Sequence, residues 1–230
     1  MEMKFRARVF TLIELLLVIS VIAILAGLLL PALKKAKDKA KEISCAGTLK
    51  QFGTMLNMYA GDWNGFFPVG PPSSPDFFSK DSTTNLAISV GIGLLIRGDY
   101  AGKVNTKDAA KFFFCPAESS SAYQGPSDYN LESVIQHYQR DPINRLAHSG
   151  YFYRIYNFMG RNLQPSKDSS KYVIADKYAF GNISPHGKNY NILYVNGAVK
   201  SYSVPNSLRA SIINDIYPYS VTIPILDNAY

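Results

Sequence analysis

Three kinds of reactive side chain stand out in this sequence: one carboxylate, Glu14, inside an apolar run, two cysteines, Cys45 and Cys115, and the imidazole of His186. Glu14 is the most informative of them. An ionised carboxylate at membrane depth costs roughly 3 kcal/mol or more, so by default it marks a functional site. The alternative is an incidental glutamate whose side chain reaches the membrane surface.

The apolar run around Glu14 is long enough to cross a bilayer. From Val9 to Leu33 there are 25 residues with one ionisable group, and the hydrocarbon core requires about 20 apolar residues in a helix. A core helix of a soluble domain is usually amphipathic, and a secretory signal peptide has a shorter apolar region with a small-residue cleavage site. We therefore expect a membrane-spanning helix over residues 10–31, preceded by a short basic leader, residues 1–9.

The helical pattern continues beyond the membrane segment, over residues 32–60. Pro31 removes one backbone donor and crowds the preceding turn, so it either bends the helix or weakens it locally. Alanines and lysines alternate after Pro31. Apolar residues then recur at helix-like intervals, which predicts an amphipathic continuation. These residues are Leu33, Ile43, Leu49, Phe52, Leu56 and Met58.

The N-terminal segment resembles that of a known family. The string F-T-L-I-E-L from Phe10, behind a short basic leader and with Pro31 further along, is similar to the N-terminus of type IV pilins and type II secretion pseudopilins. The resemblance implies a prepilin that a membrane-embedded aspartyl peptidase cuts between Val9 and Phe10 and then methylates on the new amine. It also implies that the helix packs with its neighbours in a filament core. The family usually carries Gly where this chain has Val9.

Cleavage would give Glu14 a charged partner. Removal of the leader leaves an ammonium group on Phe10, in or near hydrocarbon. Two unpaired charges there are unfavourable, and pairing them offsets much of that cost. We therefore predict that Glu14 meets the amine of an adjacent subunit and fixes the axial stagger between subunits. Pro31 is the second predicted assembly residue, because in the related filaments this region can melt and let the helix stretch.

The two cysteines fit an extracytoplasmic location, where an even number of cysteines tends to pair. Cys45 lies on the predicted helix, and Cys115 ends an apolar, strand-like run, F-F-F-C, before Pro116. We predict a disulfide between them that ties the sheet to the helix and closes a loop of about 70 residues. The alternative is two separate thiols.

Residues 61–230 fit the size of one globular domain. After a Gly- and Pro-rich segment, a short helix is expected within residues 86–102 and another at Asn130–Gln139. Segments rich in Tyr, Ile and Val predict strands at residues 151–158, 171–176 and 189–195.

The clearest local signal in this domain is a β-hairpin. Asn196-Gly197 predicts a type I′ turn, with positive φ at both residues, that joins the last of these strands to residues 198–203. Alternation along the hairpin places Ile192, Tyr194 and Ala198 on one face.

The same hairpin carries a second resemblance. His186, nine residues before Asn196-Gly197, is similar to the His–nine–Asp-Gly signature of a bacterial family of prepilin-processing-associated proteins, which is expanded in planctomycete and lentisphaeral lineages. Asn196 stands where the family has Asp, which keeps the turn but removes a charge. His186 is either a ligand or proton donor, or a residue that orders the strand connection by hydrogen bonding, and we expect the second role. Other landmarks agree: C-x-x-x-L-K-Q from Cys45, Y-x-x-D from Tyr59, Cys115-Pro116 and a strand ending in Asp176.

No catalytic, cofactor or metal site is predicted. The sequence shows no Ser-His-Asp spacing, paired acids, P-loop, HExxH, CxxC or local Cys/His cluster, and its aspartates are scattered rather than spaced as in a calcium loop. The net charge of +7 is concentrated in the leader and in the helical run at residues 34–42. Nucleic acid is therefore not an expected partner, because the positive charge does not form a patch interleaved with aromatic residues.

The sequence predicts an α+β, pilin-like fold in which a long N-terminal transmembrane and stalk helix packs on a C-terminal antiparallel β-sheet in residues 61–230. The predicted function is structural rather than enzymatic. The chain would be a pilin or pseudopilin, processed by a prepilin peptidase and assembled with identical or related subunits by an inner-membrane machine into a type IV pilus-like or type II secretion filament.

The predicted location is the inner membrane, crossed once. The basic leader stays in the cytoplasm, and the globular domain lies in the periplasm or on the cell surface. The competing hypothesis is a bilayer-anchored binding module that never polymerises. Its aromatic loop, residues 61–68, would contact glycans or envelope components.

Overall fold

A computed structural model describes residues 11–69, 78–80, 87–89, 91–104, 111–117, 151–153, 164–168, 170, 172–176, 186 and 189–203. The chain divides into two compact units, Met1–Ala40 and Lys41–Tyr230. The division falls inside the predicted helical continuation, ahead of residue 61, where we placed the start of the globular domain. The described elements form an α+β structure, as predicted.

The longest element is helix α1, Leu12–Asp62, which has 51 residues and contains Pro31. It covers the two segments for which the sequence predicts helix. The helix starts with a capping box, in which Thr11 and Glu14 satisfy each other's backbone N–H groups. The Thr11 N–H donates to Glu14 Oε2 at 2.9 Å, and the Glu14 N–H donates to Thr11 Oγ1 at 3.3 Å. The helix ends at a turn in which Gly65, with φ of 76°, donates to the Ala60 carbonyl.

The N-terminal part of α1 is apolar and exposed. Among the described residues, α1 is the one helix long and apolar enough to cross a membrane, with a mean hydropathy of 2.9 in its most apolar stretch. None of that stretch is buried, and large side chains from Leu12 to Leu33 are exposed to solvent. This segment therefore lacks the single buried stripe of a soluble surface helix.

The C-terminal part of α1, in the second unit, has a buried stripe. Of the apolar residues noted in the sequence, Leu49, Phe52 and Leu56 are buried. Ile43 and Met58 are exposed, as is Leu33 in the first unit, so three of the six lie outside the buried stripe. The observed stripe follows a seven-residue repeat in which Glu42, Cys45 and Tyr59 take positions that an apolar count overlooks. The buried residues of α1 are Glu42, Cys45, Leu49, Phe52, Gly53, Met55, Leu56, Tyr59 and Ala60.

The main sheet is a four-stranded antiparallel meander in chain order. Its strands are β3 (Tyr151–Tyr153), β4 (Tyr172–Asp176), β5 (Asn189–Tyr194) and β6 (Val199–Ser203). All four lie in the segments for which strands are predicted; residues 154–158 of the first segment lie outside the described residues. A separate antiparallel pair contains β1, Phe78–Lys80, and β2, Ala87–Ser89.

One local prediction is partly right and another is wrong. The short helix expected within residues 86–102 is α2, Gly93–Arg97, but its predicted start is strand β2. The F-F-F-C run is not a strand: Lys111–Phe113 form a 3-10 turn. Each of the three Phe side chains is at least partly buried. A turn can bury an apolar run as well as a strand can, so the apolar pattern did not distinguish the two. The helix predicted at Asn130–Gln139 lies outside the described residues.

The hairpin between β5 and β6 is confirmed, but its turn differs from the prediction. Gly197 has φ of 81°, whereas Asn196 is not in the left-handed region. The Gly197 N–H donates to the Tyr194 carbonyl at 2.9 Å, and the Tyr194 N–H donates to the Ala198 carbonyl at 2.8 Å. The loop between Tyr194 and Ala198 therefore has three residues rather than two. This is the type I turn followed by a left-handed glycine. The Asn196 Oδ1 accepts the Ala198 N–H at 2.9 Å, so the asparagine caps the loop with its side chain.

The hairpin geometry predicts opposite effects for two glycine substitutions. Gly197→Ala should destabilise the second unit by about 1 kcal/mol, because a Cβ is unfavourable at positive φ, while no atom within 4 Å would clash with it. Gly47→Ala should stabilise by up to about 1 kcal/mol, because Gly47 lies within α1 with equally open surroundings. Urea unfolding of both variants measures the difference, and equal effects of the same sign would contradict the left-handed conformation of Gly197.

The core of the second unit contains buried residues of α1, of the turns and of strands β3 to β5. The Phe52 ring contacts Phe112, Phe113 and Tyr151 with centroid distances of 4.7, 5.7 and 5.5 Å. Gly53 allows a close approach, because a Cβ there would lie 3.2 Å from Leu193 Cδ1 on β5. Ile192 and Tyr194 alternate along β5, and Ala198 lies opposite Tyr194, so these three residues share one face as predicted. The other face of β5 is buried as well, since Tyr190 through Tyr194 are all buried.

Candidate functional site

The second unit contains a cluster of two thiols and one imidazole. One ligand atom each of Cys45, Cys115 and His186 lie within 4.8 Å of one another. The Cys115 Sγ and the His186 Nε2 are 3.2 Å apart. Both cysteines are fully buried, and His186 is partly buried. Among the described residues this is the group with the atom types and spacing of a metal or redox site.

Separate elements bring these three residues together. Cys45 occupies the buried stripe of α1, and its Sγ lies 3.6 Å from the hydroxyl of Tyr151 on β3. Cys115 follows the 3-10 turn that places Phe113 in the core. His186 pairs with Asn189 at the start of β5, where the Asn189 N–H donates to the His186 carbonyl at 3.5 Å. The packing of helix, turn and sheet therefore fixes the cluster.

The surroundings favour the thiolate form of Cys115. The hydrogen bond from the Cys45 thiol is the largest influence, and together with the hydrogen bond and charge of His186 it lowers the pKa of Cys115 to about 5. Burial acts in the opposite direction and is outweighed. A thiolate, rather than a thiol, is the form that attacks disulfides and binds metals.

The cluster bears on two predictions from the sequence. The two sulfurs that we expect to form a disulfide do lie close together, and no bond joins them in the structure; the disulfide stays a prediction. His186 makes the strand-end contact that an ordering role implies, and also reaches a cysteine that is 71 positions away. A motif search misses this contact because metal motifs are recognised by local spacing. In the sequence, the only sign of the cluster is that Cys45, Cys115-Pro116 and His186 all belong to the second of the two family resemblances.

The histidine and the Asn-Gly pair of that resemblance are not brought together. His186 precedes β5 and Asn196 follows it, and a strand of six residues is about 20 Å long. Asn196 and Gly197 act in the hairpin loop instead. The two parts of the signature thus mark the two ends of the central strand that packs on α1.

A buried carboxylate that the sequence analysis did not single out joins α1 to the sheet. Glu42 is 8% exposed, and its Oε1 accepts hydrogen bonds from Ser201 Oγ at 3.0 Å and Asn189 Nδ2 at 3.4 Å. The backbone carbonyl of Glu42 accepts a hydrogen bond from Asn191 Nδ2 at 3.0 Å. Glu42 ends the charged run at residues 34–42, and the amide and hydroxyl donors of the sheet explain why it can be buried.

In the first unit, Glu14 is exposed and bonded to its neighbour Thr11. Besides the backbone contact, the Thr11 hydroxyl lies 2.9 Å from Glu14 Oε2. A carboxylate has about four acceptor positions, so the two bonds from Thr11 leave room for a cation. The predicted processing residues, Val9 and Phe10, lie outside the described residues. Pro31 lies inside α1, which continues on both sides of it.

Comparisons with protein-family models, with curated proteins and with solved structures gave no match.

Proposed function

We propose that this chain is a subunit of a type IV pilus-like or type II secretion filament, held in the inner membrane before assembly. One observation carries the proposal: an N-terminal helical segment of high hydropathy whose large side chains are all exposed, with one carboxylate near its start. Such a segment needs an apolar environment on every side. A bilayer supplies it before assembly, and the same segment of neighbouring copies supplies it afterwards.

The position of Glu14 supports an assembly role beyond membrane insertion. A helix that only anchors a protein gains nothing from a negative charge at membrane depth, where the charge is unfavourable. The capping box explains the presence of an acid or amide at this position, because Thr11 is matched by Glu or Gln three residues later. The negative charge itself is used only when a cation approaches, and the amine created by cleavage before Phe10 would be that cation.

The partners follow from this sequence of events. A prepilin peptidase would remove residues 1–9, whose basic side chains favour a cytoplasmic position. The membrane segment would stay in the lipid bilayer until an inner-membrane assembly machine transfers it to a filament of identical or related subunits. The second unit would then face the periplasm or the cell exterior.

The proposal is tested by the intact mass of the protein purified from its own cells. A filament subunit should lack residues 1–9 and carry one additional methyl group on Phe10. Val9→Gly restores the residue that the family usually carries before the cut and should be processed at least as fully as the wild type, and the control Thr48→Ala should be processed as the wild type is. A mass that begins at Met1 in the wild type would contradict the filament proposal.

One observation favours a second function, a membrane-anchored binding module that does not polymerise. The Trp63 indole is 57% exposed, and its ring stacks on Tyr59 with an interplanar angle of 10° and a centroid distance of 5.5 Å. Tyr59 is buried, so it holds the exposed Trp63 ring in place, and an exposed Trp ring provides rigid apolar contact area with a polar edge. An unprocessed N-terminus together with glycan binding that is lost in Trp63→Ala would favour this function.

A further inference from the structure

We propose that Cys45, Cys115 and His186, in their reduced state, bind one thiophilic d10 metal ion, Zn²⁺ or Cu⁺. The proposal concerns the second unit alone and does not depend on filament assembly. It rests on three ligand atoms of suitable type that converge within 4.8 Å from separate elements of one core.

The observed geometry is close to that of a metal site. Zinc binds cysteine sulfur at about 2.3 Å and histidine nitrogen at about 2.0 Å, so in a tetrahedral site the ligand atoms are roughly 3.5 to 3.8 Å apart. Here the Cys115 Sγ to His186 Nε2 distance is 3.2 Å, and no pair exceeds 4.8 Å. Each ligand atom therefore needs to move by only about 1 Å for an ion to fit.

The surroundings of the cluster provide the support that metal ligands require. Outer hydrogen bonds fix the orientation of the ligands in metal sites. The Tyr151 hydroxyl is 3.6 Å from Cys45 Sγ, in position to donate to a bound thiolate. The Asn189 N–H holds the backbone of His186 at the start of β5. Both cysteines are buried, which shields metal–sulfur bonds from competing water.

The ligand set selects the class of metal. Two thiolates and an imidazole favour Zn²⁺ and Cu⁺, whereas Mg²⁺ and Ca²⁺ prefer oxygen ligands. Both sulfurs bind as thiolates, so any sulfur that is still protonated releases its proton to solvent; no electron is transferred, and imidazole binds through the lone pair on Nε2. Three protein ligands suit trigonal Cu⁺, and Zn²⁺ would take a water as its fourth ligand.

A disulfide accounts for only two members of this cluster. If a disulfide joined Cys45 and Cys115, neither sulfur would require a nearby nitrogen. In the structure, His186 Nε2 lies 3.2 Å from Cys115 Sγ. Metal binding requires all three residues. The reduced chain and the disulfide-linked chain are therefore two states of one cluster, and the metal belongs to the reduced state.

Metal titration of the full chain in detergent tests the proposal. The protein is reduced under nitrogen, freed of reductant, and titrated separately with Zn²⁺ and with Cu⁺, and bound metal is counted by elemental mass spectrometry. Co²⁺ serves as a spectroscopic probe, because thiolate ligation gives a near-ultraviolet charge-transfer band. We expect one equivalent of Zn²⁺ or Cu⁺ per chain and this band with Co²⁺. C45S, C115S and H186Q should each weaken binding by about 100-fold or more, while S44A, which changes an exposed serine on α1, should bind as the wild type does.

The wild-type spectrum makes the test independent of whether the variants fold. Absence of the Co²⁺ charge-transfer band in the reduced wild type, or less than one equivalent of both Zn²⁺ and Cu⁺, would overturn the proposal. Binding that persists unchanged in C115S and H186Q would also overturn it, since it would place the ion elsewhere. A chain isolated with the disulfide that binds one equivalent after reduction supports it.

Discussion

Glu14→Gln is expected to abolish filament assembly while leaving the helix and its membrane insertion intact. Gln retains the capping box with Thr11, since an amide oxygen accepts the same hydrogen bonds that Glu14 Oε2 accepts. What it loses is the charge that would pair with the amine of a neighbouring subunit. Removing one member of a buried ion pair costs about 3–5 kcal/mol, and this cost would recur at every subunit contact.

Electron microscopy of cells and of sheared material would measure the effect of Glu14→Gln as filaments per unit of membrane-inserted protein. Glu14→Asp keeps the charge with a shorter side chain and should retain partial assembly. Thr11→Val keeps the charge but removes the hydroxyl of the cap, which should cost about 1 kcal/mol of helix stability and still permit filaments. If Glu14→Gln forms polymers in normal yield with unchanged helical symmetry, Glu14 acts only as a helix cap.

Phe52→Ala is expected to be the most destabilising single truncation in the core of the second unit. The ring is fully buried and contacts Phe112, Phe113 and Tyr151. Truncating a buried Phe to Ala costs about 3–5 kcal/mol, through lost transfer free energy and the cavity that is left. For a protein of this size a loss of that magnitude lowers Tm by roughly 10 °C.

Thermal unfolding followed by near-ultraviolet circular dichroism measures the effect of Phe52→Ala on Tm. Met58→Ala is the matched control, because Met58 lies on the same helix, is 55% exposed and should change stability by at most about 0.5 kcal/mol. Phe52→Leu should fall between the two. A loss below about 1 kcal/mol for Phe52→Ala would mean that α1 does not pack on the aromatic core as described.

Much of the fold follows from patterns that act over short distances along the chain. The apolar run and its continuation predict α1, because helix formation depends on composition and on three- to four-residue periodicity. The strand segments are found from their local composition, which is rich in Tyr, Ile and Val. Glu14 is found because charge is unfavourable among apolar residues, but its bond to Thr11 is a local T-x-x-E pattern that we overlooked.

Features that depend on tertiary contacts were not predictable in this way. Glu42 is buried because Asn189 and Ser201 donate to it from two strands, which no pattern within residues 34–42 reveals. The proximity of His186 to Cys115 depends on the packing of β5 against a distant turn. The loop at Asn196-Gly197 has three residues instead of two, because the register of β5 and β6 is set by strand pairing as well as by the turn sequence.

The central claim is that the exposed apolar segment of α1 packs against the same segment of other copies. A photo-reactive diazirine amino acid in place of Leu25, which is 54% exposed, tests it directly in the native cells. We predict a ladder of crosslinked copies of this chain on illumination, and its loss in Glu14→Gln. Crosslinks to lipid alone, with no dimer or larger product of this chain, would contradict the filament account and leave a membrane anchor in its place.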